Sequence, residues 1–123
     1  MQALDEHNAA VVRALCALIV PGSERVWPEV YIDALIVRMP EPDRAAVLAA
    51  FASLEPFSDS RESLSARAFA PEFMLVRALA CEAFYSDFVA PGAPGPGAYA
   101  EIDFSLPLAT RIKKDWSYLG VTQ

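Results

Sequence analysis

Residues 71–88, PEFMLVRALACEAFYSDF, decide the fold class. Phe73, Val76, Leu79 or Ala80, and Ala83 or Phe84 recur at spacings of 3 and 4, the period of one helical face. Pro71 and Glu72 suit a first turn. Proline's missing N–H has no partner to lose there, and an acid meets the positive end of the helix dipole. The pattern predicts a helix that runs into Ser86-Asp87 and then into a Pro/Gly stretch.

The same period extends upstream. In LDEHNAAVVRALCALIV, residues 4–20, Val11, Val12, Leu15, Leu18 and Ile19 share a face. Asp5 is the expected N-cap, and Pro21-Gly22-Ser23 stops the helix. Residues 24–39, ERVWPEVYIDALIVRM, read as a second helix whose regular part starts near Trp27, with Pro28 in its first turn. Val30, Tyr31, Leu35 and Val37 or Met39 make it apolar on more than one side, the mark of a helix buried between neighbours. Pro40 and Pro42 bound it. Residues 42–54 form a third helix with Val47, Leu48, Phe51 and Leu54 as its stripe, and Glu55-Pro56 ends it. Residues 57–70 read as a loop or a short helix beginning near Ser63. The expected architecture is all-α: a small bundle of four to five helices over residues 1–90, followed by an extended Pro/Gly-rich C-terminal arm over 91–123.

Composition narrows the function. A chain of 123 residues is one domain's worth, able to close a single core without disulfides or metal. Its hydrophobic fraction of 54% exceeds the ~45–50% usual for soluble domains. Alanine supplies much of the excess. The rest calls either for an unusually complete core or for cover by a partner. The net charge of −6, with no basic stripe, argues against nucleic acid. The charge is uneven: residues 1–110 carry a net −8, whereas residues 111–123, with Arg111, Lys113 and Lys114 against Asp115, carry +2. Such asymmetry either steers docking or marks a solvated tail end. Cys16 and Cys81 each sit in an apolar helical pattern and read as buried free thiols. No apolar run reaches the ~18–20 residues that span a membrane. The start, MQALDEHNAA, has acids where a secretory signal has basic residues, so the chain as given reads as cytoplasmic. A chain that had lost a signal would read the same.

Familiar catalytic patterns are missing from the sequence. His7 is the sole histidine and reads as a solvated first-turn residue among Asp5, Glu6 and Asn8. No CxxC, HExxH or paired-histidine pattern occurs. The stretch PGAPGPG, residues 91–97, lacks the lysine and following helix of a phosphate loop, and its prolines remove the amides such a loop needs. The carboxylates Glu29 with Asp33, and Glu82 with Asp87, are expected to be surface charge on helices rather than acid–base pairs. Tyr31, Tyr85, Tyr99 and Tyr118 are expected to pack or to form interfaces.

The arm is the informative feature. Ile102, Phe104, Leu106 and Leu108 alternate with period 2, so this part reads as extended. With Tyr99, Ile112, Trp116, Tyr118 and Leu119 they make an apolar set no disordered tail should carry. Each large side chain is worth ~1.5–3 kcal/mol when buried. Leaving all of them wet forfeits more than a typical stability margin of ~5–15 kcal/mol. They are covered either by the chain's own helices or by a second protein.

At these residues the chain resembles a known family. LCALIVPG (15–22) followed by VYIDALI (30–36) is similar to the start of the gluconate 2-dehydrogenase subunit 3 family, and LVRALACEAFYSD (75–87) to its last core helix. The likeness spans roughly residues 9–90. The tail GAYAEIDFSLPLATRIKKDWSYLGV (97–121) is similar to tails of small proteins partnered to flavin oxidoreductases of the glucose-methanol-choline type. The resemblance implies a non-catalytic small subunit that binds and stabilises a large FAD-dependent sugar or glycoside dehydrogenase. FAD is expected in the partner subunit and no cofactor in this chain. Catalytic and metal residues are not carried over; Phe84, Tyr85 and Ser86 match as a structural motif. Many family members bear a twin-arginine export signal that this sequence lacks, so a periplasmic site would follow from a removed signal or from export shared with the partner. Interface chemistry favours aromatic and arginine anchors. Expected contacts are Phe104, Trp116, Tyr118 and Leu119, with Arg111, Lys113 and Lys114 as rim charges and Phe84 and Tyr85 supporting the arm's root. Two alternatives stand beside this reading: a self-associating helical binding or regulatory module, and a small enzyme built from carboxylates and tyrosines.

Overall fold

The computed structural model describes residues 1–101. The expected all-α class holds: six helices and, among the described residues, no strand. Helix α1 spans Glu6–Ile19, α2 Pro28–Arg38, α3 Glu41–Leu54, α4 Arg61–Ser65, α5 Pro71–Tyr85 and α6 Ala98–Glu101. Four of them, α1, α2, α3 and α5, pack on one another. The most extensive pairing is α3 with α5; α2 lies against both α1 and α5. The core between them is aliphatic and aromatic, with Val12, Leu15, Ile32, Ile36, Leu54, Val76 and Phe84 closed off from solvent.

Local chemistry sets the helix ends. The Asp5 carboxylate accepts the Asn8 N–H at 2.7 Å, the expected cap of α1. At the other end Gly22 takes φ +90, a left-handed turn only glycine adopts freely, and the Arg25 guanidinium sits 2.7 Å from where a Cβ would be. A 3₁₀ turn over Ser23–Val26 follows, and the regular helix starts at Pro28, next to Trp27 as the sequence pattern predicts. Trp27 then adopts φ +55. Pro28 disfavours the right-handed region for the residue before it, and the strained left-handed turn separates the 3₁₀ segment from α2. The short helix α4 begins three residues earlier in cap than the pattern suggests: the Ser60 side chain accepts the Ser63 N–H at 3.0 Å. Helix α5 stops at Tyr85, because Asp87 turns left-handed at φ +64 and sends the chain back across the bundle.

The packed body runs beyond α5. Phe88 is fully buried and meets Tyr31 edge to face, with ring centroids 5.3 Å apart. The Pro/Gly segment lies on the 3₁₀ turn: Ala90 N donates to Val26 O at 3.1 Å and Gly95 N to Arg25 O at 2.9 Å. Gly97 is buried, and a Cβ there would stand 2.4 Å from the Asp87 carboxylate. Ala98, the first residue of α6, is also buried.

Candidate partner-binding surface

On α5 the inward positions Val76, Leu79, Ala80, Ala83 and Phe84 fill the core. The opposite face carries Met74, Leu75, Ala78, Glu82 and Tyr85, all exposed. Met74 is 61% exposed and Tyr85 56%; Phe69, in the turn before α5, is 97% exposed. Apolar groups thus stand in water along this face, flanked by the exposed charges Glu82 and Arg77. A groove of about 420 Å³ separates the outward sides of α5 and α3, lined by Ala46, Ala49 and Ser53 opposite Leu75.

Of the expected contact residues, Phe84 and Tyr85 are among the described residues. Phe84 is closed inside this chain's core, beneath the Arg25 guanidinium at 5.0 Å. Arg25 Nε also donates to Pro96 O at 2.7 Å, so Phe84 props the residue that holds the root of the arm. Tyr85, edge to face with Phe84, points outward. Phe104, Arg111, Lys113, Lys114, Trp116, Tyr118 and Leu119, like the stretch from Ile102 to Leu108 expected to be extended, lie outside the described residues.

Three carboxylates correct the surface-charge expectation; only Glu82 is exposed as expected. Glu29 is 1% exposed and paired with Arg13 of α1, whose Nε donates to Glu29 Oε2 at 2.6 Å and whose Nη2 donates to the same oxygen. The pairing raises the Arg13 pKa above its ordinary value through that hydrogen bond. Asp33, one turn on, is buried and accepts the N–H groups of Gln2, Ala3 and Leu4 at 3.0, 2.8 and 2.8 Å, tying the N-terminal segment to α2. Buried Asp87 accepts the Tyr99 N–H at 3.0 Å, closing the turn into α6. A helix apolar on several sides leaves its few acids nowhere wet to stand, which is the signal that places Glu29 and Asp33 inside.

The remaining candidates have structural surroundings. His7 is exposed, its Nε2 within 3.0 Å of the Glu55 carboxylate. Tyr31 is buried, and Tyr99 half-buried. Cys16 is fully buried and its thiol is pushed up to about 12 by desolvation, whereas Cys81 is half-buried. No described helix is long and apolar enough to cross a membrane. Comparison of the chain with protein families, curated proteins and solved structures found no match.

Proposed function

We propose that this protein is a non-catalytic small subunit that binds and stabilises a large FAD-dependent oxidoreductase of the glucose-methanol-choline type. The observation that carries the reading is the outward face of α5, where Met74, Leu75 and Tyr85, with Phe69 beside it in sequence, stand exposed although the core beneath is closed. Exposed apolar groups of this size mark surfaces that a partner covers. The family resemblance of residues 9–90 supplies the kind of partner. The sequence after α6 carries further large apolar groups, Phe104, Trp116, Tyr118 and Leu119, of the kind that anchor interfaces.

The test is co-purification with a flavoprotein encoded beside this chain. The expected result is a flavin-bearing complex, weakened by Trp116→Ala by about 2 kcal/mol, roughly thirtyfold in Kd, as for an aromatic hot spot. Light scattering on the chain alone separates the alternative. A clean homodimer that buries the arm, with no affinity for the flavoprotein, overturns the accessory-subunit reading in favour of a self-associating module.

A further inference from the structure

A groove of about 350 Å³ opens between the end of α1, α4 and the first half of α5. Its floor is apolar, built from Leu18 and Ile19 of α1, Leu64 of α4 and Phe73 of α5. Leu64 is buried, and the other three keep part of their surface in water. The charges on the groove are Arg61 and Arg77, both exposed, and no carboxylate lines it. A chain with 16 acids against 10 basic residues thus places two cations and no acid around one apolar depression. Other arginines of the bundle are engaged. Arg13 and Arg67 hold carboxylates, and Arg25 and Arg44 donate to backbone carbonyls. Arg61 and Arg77 have no ion-pair or hydrogen-bond partner among the described residues. The hydroxyl of Ser65, the remaining polar side chain on the groove, already donates to Glu62 O at 2.7 Å. The donors left to a ligand are therefore the two guanidinium groups.

We infer that this groove binds a medium-chain fatty acid, its alkyl chain on the floor and its carboxylate on Arg61 and Arg77. Each property of the site selects part of that ligand. A guanidinium presents paired N–H donors that match the two oxygens of a carboxylate. The floor offers methylene groups an apolar surface away from water. The volume lies at the lower end of the ~300–1,000 Å³ of small-molecule sites, room for one alkyl chain. A peptide strand would need a sheet edge to pair with, and the described residues form none. The inference does not rest on the flavoprotein partnership.

The test is a titration of the full-length ¹⁵N-labelled chain with decanoate below its micellar concentration, with decanol, and with an acidic leucine-rich peptide. Decanoate should give saturable shifts centred on the amides of Ile19, Leu64 and Phe73. Decanol leaves water more readily than the ionised acid, so tighter binding of decanoate isolates the contribution of the arginines. Arg61→Gln and Arg77→Gln, both at exposed positions, should each weaken decanoate severalfold and together at least tenfold, the scale of exposed charge pairs. Arg38→Gln, in the last turn of α2, should leave binding unchanged. Equal or tighter binding of decanol, undiminished binding by the double variant, or the absence of saturable shifts overturns the site. Tighter binding of the peptide at the same amides overturns the fatty acid in favour of a protein segment.

Discussion

The two sides of the bundle handle solvent in opposite ways. Around α2, charged groups are taken out of water and given partners: Asp33 holds three backbone N–H groups and Glu29 holds Arg13. Along the outer face of α5, apolar groups are left exposed, Met74 and Leu75 among them, and Tyr85 beyond its edge contact with Phe84. The first arrangement fixes this protein's own shape; buried carboxylates are tolerated because donors from distant segments meet them. The second adds nothing to the shape of the isolated chain. That contrast is why the α5 face, and not the acid-rich one, is read as the surface for the large subunit.

Substitutions on the two sides should therefore separate cleanly in size and kind. Phe88→Ala should have the largest effect on folding, about 3–5 kcal/mol, because it removes a fully buried ring and its edge-to-face contact with Tyr31; urea denaturation measures it. A loss below ~1 kcal/mol would mean that the segment after α5 is not part of the packed body. Asp33→Ala should cost about 2–3 kcal/mol, since three hydrogen bonds to one buried carboxylate go at once. Hydrogen exchange should then speed up at residues 2–4 first. A smaller effect, about 1.4 kcal/mol per pH unit, belongs to Cys16. Its folded pKa is raised from 9.0 to about 12. Above pH 9 the unfolded thiol therefore loses its proton while the folded one keeps it, and stability falls as pH rises through the window from about 9 to about 12. Cys16→Ala should remove that slope. At the exposed Phe69, in the turn before α5, and at Met74, on its outer face, substitution by Ser should change stability by no more than ~0.5 kcal/mol. A loss of several kcal/mol there would show that these side chains serve the fold itself.

Much of the bundle is legible in the sequence because helix signals are local. The Asp5 cap, Pro28 and Pro71 in first turns and the stop at Pro21-Gly22 are decided within a few residues. What was hidden depends on segments far apart in the chain. Asp33 meets donors about thirty residues away, and Glu29 a guanidinium sixteen residues away. Read alone, two acids one turn apart look like a wet stripe. Read together with the apolar surroundings of Tyr31, Ile32 and Ile36, they belong inside. The return of the chain after α5 is hidden for a related reason. Phe88 continues the apolar pattern, yet its ring reaches the core from the return segment, after the left-handed Asp87. Of the exposed apolar groups, Tyr85 is legible in the sequence as an aromatic interface candidate, while Phe69 and Met74 are not. A helical pattern says which face is buried, but not whether the other face is apolar for a purpose.

The most direct measurement is capture by the tagged chain of the proposed flavoprotein partner from native cells, compared with a Met74→Glu/Tyr85→Glu variant of equal thermal stability. The account predicts a complex with flavin absorbance for the wild-type chain and at least a tenfold loss of captured flavin for the variant, in line with the hot-spot energies of exposed aromatic anchors. Equal flavin capture by both chains, or a wild-type chain that stays monomeric and colourless with the flavoprotein present, would contradict it.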